Sequence, residues 1–581
     1  MDNKDNTQES IQTSSPCPSL TSDNLLLSRR RFFQAAGGSG LLALTGGVGT
    51  VGVVAMPAVV KAEELGPLNI SRRRYEEYWL RSQSARSHFF AGQPPQLCND
   101  DEALYADKRA NFSKCLPHND LGEVDPAAYQ SLNTALATGS PADFDAITLA
   151  SEAGLNSGQR LANPQAAYAF EMTGIGSHAT RIPPAPAFVS AEMAAEMAEV
   201  YWQALTRDVP HSDYLFDPQI AAAVDDLNRL SVIIGPTSNA QVTPDTLFRG
   251  MTPGDLIGPY VSQFLWLPIP YGMATIDQQY RFPSTGVDFM LDYDEWLAIQ
   301  RGALPTAALQ FQAAPRYILT NRDLGEYVHV DFPFQAFFNA ALIMFNFGPE
   351  ALALENPYRD SFTQDGFVTF GLPDINHLVT KAAGVAMKSA WHQKWLVHRR
   401  LRPEMYAGRI ENQRLGNKNY GIAAELLDSA AVAQAVSRNG HALLPLAYPE
   451  GSPTHPAYPA GHAVFSGACA TVLKALFNED FVIPNPVRPT PDGTALEPLS
   501  DAVDLSLGGE INKLASNIPL ARDAAGVHYR SDGSQGLLAG EQQAIGILQD
   551  YSKTYTEAFA GFTLTRFDGT PISIINGEVF Q

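Results

Sequence analysis

Five side chains in three short segments could hold a tetrahedral anion and move a proton beside it. The first segment runs Trp391-His-Gln-Lys394-Trp-Leu-Val-His-Arg-Arg-Leu-Arg402-Pro403. Lys394 and Arg402 are eight residues apart, about 80° around an ideal helix, so two long side chains can converge. Pro403 disfavours helix at the residue before it and so places Arg402 near a helix end. Taken alone, the stretch reads as a solvated basic face, because Arg399 and Arg400 share it. The second segment is Pro459-Ala460-Gly461-His462. At a loop-to-helix junction its unpaired N–H groups would favour an anion, with Gly461 allowing close approach and His462 serving as acid or base. The third is Arg522-Asp-Ala-Ala-Gly526-Val-His528-Tyr-Arg-Ser-Asp532. Gly526 can break a helix between Arg522 and His528, and Asp532 can fix the imidazole tautomer. A structural His–Asp pair is the plainer reading of that segment by itself. Together the segments supply three cations for the oxygens of an anion, one histidine for its central atom and one for proton transfer.

The elements that must position these groups are mainly helical. Residues 451–460 form a loop punctuated by Pro453, Pro456 and Pro459, and from His462 the chain turns Ala/Val/Leu-rich without a breaker, which predicts a buried helix. Residues 190–206 predict a helix capped by Ser190. Helical patterning returns at 334–347, 375–402, 423–436, 463–477 and 536–559, while 235–320 reads as long loops with short helices. Alternating strand patterns are scarce, so the expected class is all-α with irregular connections.

The formal charge of −21 over 581 residues argues against a nucleic-acid or anionic-membrane partner. It also makes any basic cluster require a local reason. The chain begins with a polar stretch, then Ser28-Arg29-Arg30-Arg31-Phe32-Phe33-Gln34 and a Gly/Ala-rich apolar run to Val60. Twin arginines before such a run look like a twin-arginine export leader over 1–62, which would leave 63–581 as one large helical domain in the periplasm or outside the cell. No later stretch is long and apolar enough for a membrane span. In such a compartment Cys98 and Cys115 could pair, while Cys469 reads as core filler.

The ordered set Lys394…Arg402-Pro403, Pro459-x-Gly461-His462 and Arg522…His528…Asp532 resembles the vanadium-dependent haloperoxidases, which share their anion site with the type 2 phosphatidic-acid-phosphatase-like acid phosphatases. The motifs fall within 388–535, and the wider likeness runs from about residue 65 to the C-terminus. The longer Lys394–Arg402 gap, His455, and the stretches GSPTHPAYPAGHA, GVHYRSDG, RDLGEYVH (322–329) and NFSKCLPHN (111–119) are similar to the algal and cyanobacterial bromoperoxidase branch. The resemblance implies two four-helix bundles and a vanadate cofactor bonded axially by His528. It implies equatorial oxygens held by Lys394, Arg402, Arg522 and the Gly461 amide. His462 would then be the acid–base residue, His455 a second active-site histidine, Trp391 a group on the halide side and Asp532 the support of His528. Hydrogen peroxide, bromide or iodide and small organic acceptors would be the reactants, in a homo-oligomer. A structural calcium is compatible with the same resemblance.

Two positions depart from the family pattern. Ala460 stands where a serine is usual, removing a hydroxyl that would donate to the anion, and Ala521 replaces a serine before Arg522. One hydrogen bond fewer to an anion costs on the order of 1.5–3 kcal/mol. The same residues would also serve an exported acid phosphatase with His528 as nucleophile. A third reading is an inactive oxyanion-binding homologue.

Overall fold

A computed structural model describes residues 70–499 and 503–581. The expected export leader over 1–62 lies outside the described residues. Residues 94–581 form one compact unit. The described part of the second unit, residues 70–93, contains the helix Ile70–Ala91, which exposes Tyr75, Tyr78, Trp79, Phe89 and Phe90. Among the described residues no helix is long and apolar enough to cross a membrane.

Four helices form a bundle, three of them packed around the Gly461–Leu476 helix: Leu372–His392, Leu507–Ala524 and Arg530–Tyr551. The Gly461 helix is its centre, and every residue in it is buried except His462. Glycines decide how closely its neighbour can approach. A Cβ on Gly467 would fall 2.1 Å from the Leu537 carbonyl oxygen, and one on Gly540 would fall 2.0 Å from that of Val464. Only residues without a Cβ allow the Gly461 and Arg530 helices to cross with their backbones in contact. A second helical group is built on Ala191–Thr206, capped by Ser190 as its sequence predicts, with Pro218–Leu227, Ala424–Leu427 and Ala430–Asn439. The Ala191 helix also packs on the Leu507 helix, which links the two groups.

Several expectations change in detail. The helix expected over 375–402 ends at His392, continues as a π-turn over Gln393–His398, and stops at Arg399, which takes a left-handed backbone with φ 44°. Residues 423–436 divide into two helices at Asp428. The Leu507 helix accommodates Pro519 in its interior, a residue that obscures its pattern in the sequence. Among the described residues, strands occur as three small antiparallel sheets, the largest of them Phe562–Thr565, Pro571–Ile575 and Glu578–Phe580 in sequential order. The expected Cys98–Cys115 pairing is wrong: Cys115 is a buried free thiol, and Cys98 is disulfide-bonded elsewhere. Cys469 is a buried thiol in the bundle core, as expected.

Candidate active site

The N-terminus of the Gly461 helix opens into a cavity of about 100 Å³, lined by Trp391, His455, Gly461, His462, Arg522 and His528 among others. That volume is roughly three waters' worth, enough for one small oxyanion. Each segment reaches the cavity through a break in regular structure. The π-turn turns Lys394 inward, where it is fully buried and its Nζ donates to the Pro456 and Ala457 carbonyls at 2.7 and 2.8 Å. Arg402 does not share a helix with Lys394, as the sequence spacing suggested. It is the N-cap residue of the next helix, Pro403–Arg414, with an extended backbone as a residue before proline must have. Gly526, at φ +84°, breaks the chain between the Leu507 and Arg530 helices, so Arg522 and His528 meet from opposite sides of a turn.

The tautomers follow from the donors. Arg402 Nη1 lies 2.8 Å from His528 Nε2, and a guanidinium can only donate, so Nε2 carries the lone pair. His528 Nδ1–H therefore donates to Asp532 Oδ2 at 2.8 Å. The His528–Asp532 contact is not made along a helix: His528 precedes the helix, and Asp532 occupies its capping position, also accepting from the Tyr529 N–H. Arg402 Nη2 also lies 2.9 Å from His455 Nδ1, a nitrogen that is 3.1 Å from the Pro456 carbonyl oxygen as well. The His455 ring lies 4.8 Å from that of Trp391, whose indole N–H donates to the Ala162 carbonyl. His462 Nε2 donates to Asp331 Oδ1 at 2.9 Å, leaving the lone pair on Nδ1.

Charge explains what the cavity is suited to hold. Among the described residues, Lys394, Arg402 and Arg522 make no ion pair, and their partners are carbonyl oxygens, the Tyr448 hydroxyl and histidine nitrogens. Arg522 Nε is buried without a partner. Burial, with Arg402 and Arg522 nearby, drives the Lys394 ammonium well below its usual range, and burial pushes Arg402 down to about 9. Burial and the neighbouring cations Arg402, Lys394 and Arg522 also hold His528 neutral, its pKa well below the usual value. Three buried cations without counterions, beside an uncapped helix N-terminus, make a donor set that fits a multiply charged oxyanion.

The family model for a VCPO second helical-bundle domain matches residues 376–557, which contain all three motifs. A vanadium-dependent bromoperoxidase of Ascophyllum nodosum is 36% identical over 495 residues, covering 82% of this chain and 88% of that protein. The vanadium-dependent bromoperoxidase of Corallina officinalis is 32% identical over 595 residues, covering 87% of this chain and 99% of that one. The chain belongs to the vanadium-dependent bromoperoxidase family. A solved structure of a second, homohexameric vanadate-dependent bromoperoxidase from Ascophyllum nodosum superposes with a TM-score of 0.83 at 30% identity, covering 94% of this chain and 95% of that one.

Of the ten residues singled out from the sequence of this bromoperoxidase-family chain, six line the cavity, Arg402 and Asp532 hydrogen-bond the lining His528, Lys394 bonds carbonyls of the loop after His455, and Ala460 precedes Gly461. Ala460 is the buried N-cap of the Gly461 helix, makes no side-chain cap, and is held by its N–H to the Asp532 carbonyl at 2.9 Å. Arg399 and Arg400 are not a solvated basic face. Arg399 pairs with Glu102, and Arg400 is buried between Glu196 and Asp532, stacked 3.9 Å over the Tyr529 ring. Arg400 thus anchors the carboxylate that orients His528. Asp331, the partner of His462, was not read from the sequence. The signal lay two residues past the RDLGEYVH stretch, but a lone aspartate in a loop carries no motif.

Proposed function

We propose that this protein oxidises bromide, and iodide by the same chemistry, with hydrogen peroxide: H₂O₂ + Br⁻ + H⁺ gives HOBr and water. The gathering of three buried, ion-pair-free cations around His528, with Arg402 donating to its Nε2, carries this reading. Vanadate fits that donor set and, when bound, supplies a Lewis-acidic centre that activates peroxide without changing oxidation state. His528 Nε2 would bond the metal, Asp532 holding its tautomer and Arg400 holding Asp532. Lys394, Arg402, Arg522 and the Gly461 N–H would hold the oxygens. His462 accepts a proton from incoming peroxide at Nδ1, its ring kept in place by Asp331. His455 and Trp391 border the side from which halide enters, and the released hypobromous acid halogenates small organic acceptors.

The deciding experiment compares dye bromination and phosphate-ester hydrolysis on the same protein, with and without orthovanadate. Bromination should require vanadate and disappear in His528→Ala. Hydrolysis alone, inhibited by vanadate, would assign the protein to the phosphatases, with His528 as nucleophile. The twin-arginine stretch supports export, tested by whether 1–62 carries a reporter out of the cytoplasm. The homohexameric neighbour supports a homo-oligomer, tested by light scattering.

A further inference from the structure

We infer that Met387 is the first side chain modified by the oxidised halide, its thioether becoming a sulfoxide inside the cavity during turnover. The inference rests on the bromide-oxidising reading above. Met387 is half-buried on the Leu372–His392 helix, one turn before Trp391, and lines the cavity with His462 and His528. Its Sδ lies 3.6 Å from where a Cβ on Gly461 would stand, beside the amide that begins the anion site. A thioether is the softest nucleophile among the side chains lining this cavity. The reaction R₂S + HOBr → R₂S=O + Br⁻ + H⁺ balances with no further reactant. Sulfur loses two electrons, bromine gains them, and the oxygen comes from hypobromous acid.

The other methionines among the described residues make the inference testable. Met172, Met251 and Met273 are widely exposed, at 92%, 65% and 106%, and report oxidant that has left the cavity. Met193, Met197, Met290, Met344 and Met405 are buried in the core, where oxidant cannot reach them. A sulfoxide at Met387 would put a polar oxygen between Trp391 and the Gly461 helix terminus, so the rate should fall as it accumulates.

The test is peptide mapping by mass spectrometry on the vanadate-loaded full chain, sampled during turnover with bromide and peroxide while a dye records bromination. The one-oxygen increase on the Met387 peptide should run several-fold ahead of those carrying Met172, Met251 and Met273, in step with product. Hypobromous acid added from outside should reverse that order, and peroxide without bromide should leave Met387 intact. Met387→Leu, close in volume, should prolong the linear phase of product formation. Methionine sulfoxide reductase should restore the rate of the parent but not of this variant. Oxidation of the exposed methionines before or together with Met387, while bromination proceeds, overturns the inference. Absence of bromination overturns the functional reading itself, and the two failures are distinguished in one sample.

Discussion

His462 and Ala460 sit two residues apart at one helix end, and each makes a separate prediction. Burial lowers the His462 pKa, and the Asp331 carboxylate opposes that shift. Asp331→Asn removes the opposing charge, so the pKa falls further. With neutral His462 as base, the acid limb of the kcat/KM profile against peroxide should move to lower pH, at reduced overall rate because the ring is no longer held; a pH–rate series checks both. Ala460 is the structural gap. Ala460→Ser supplies a hydroxyl donor at the N-cap and should tighten vanadate by about 1.5 kcal/mol, roughly tenfold in Kd, measurable by reconstitution titration. At this scale the chemistry was legible in the residue types, because cations, histidines and a Pro-x-Gly-His turn have few other joint uses in an acidic chain. Asp331 and Met387 were not legible, since neither residue type in isolation implies a place in a cavity.

The helix Asn321–Tyr327 shows how an element without a catalytic residue positions one. Its exit residue Val328 accepts a hydrogen bond from Arg522 through its carbonyl, and the following His329 stacks on Tyr448 at 3.9 Å. His329 bridges Glu326 on its own helix and Glu450 on the loop that leads to His455. Arg522 adds positive charge through Tyr448, and Lys114 reaches the Glu450 carbonyl. The two carboxylates outweigh burial and raise the His329 pKa to about 9. A pKa raised on folding stabilises fully below the unfolded value near 6.5, and that stabilisation is lost as pH rises through 9. His329→Gln should therefore lower stability at pH 6 by at most ~3 kcal/mol, less after solvent screening around Glu450. Its melting temperature should approach that of the parent above pH 9. The sequence marked 322–329 as similar to the bromoperoxidases but could not show that its histidine ties two elements together. The π-turn was hidden as well, because a helical pattern continues through it until Arg399 reverses the backbone.

Among the described residues, some buried cations meet carboxylates and others do not. Lys114 meets Glu404, Arg530 meets Glu199, and Arg400 meets Glu196 and Asp532, all buried. Lys394, Arg402 and Arg522 gather around the cavity without an ion pair, their hydrogen bonds going to carbonyls, the Tyr448 hydroxyl and histidine nitrogens. A tetrahedral oxyanion should thus stabilise the whole fold, by about 2.7 kcal/mol at a hundredfold excess over its Kd. Thermal melts with orthovanadate or phosphate should rise while equal chloride leaves them unchanged, and His528→Ala should reduce the vanadate effect more than the phosphate effect.

What the sequence by itself determined was the helical class, the cap at Ser190, the breaks at Pro403 and Gly526, and the set of groups able to hold an oxyanion. Those are properties of spacing and residue type along the chain. Tertiary structure alone decided which cations lack a counterion, which nitrogen of His528 and of His462 holds the proton, and that Arg400 supports the site rather than facing water. These depend on groups far apart in sequence, brought together where Gly467 and Gly540 let two helix backbones touch.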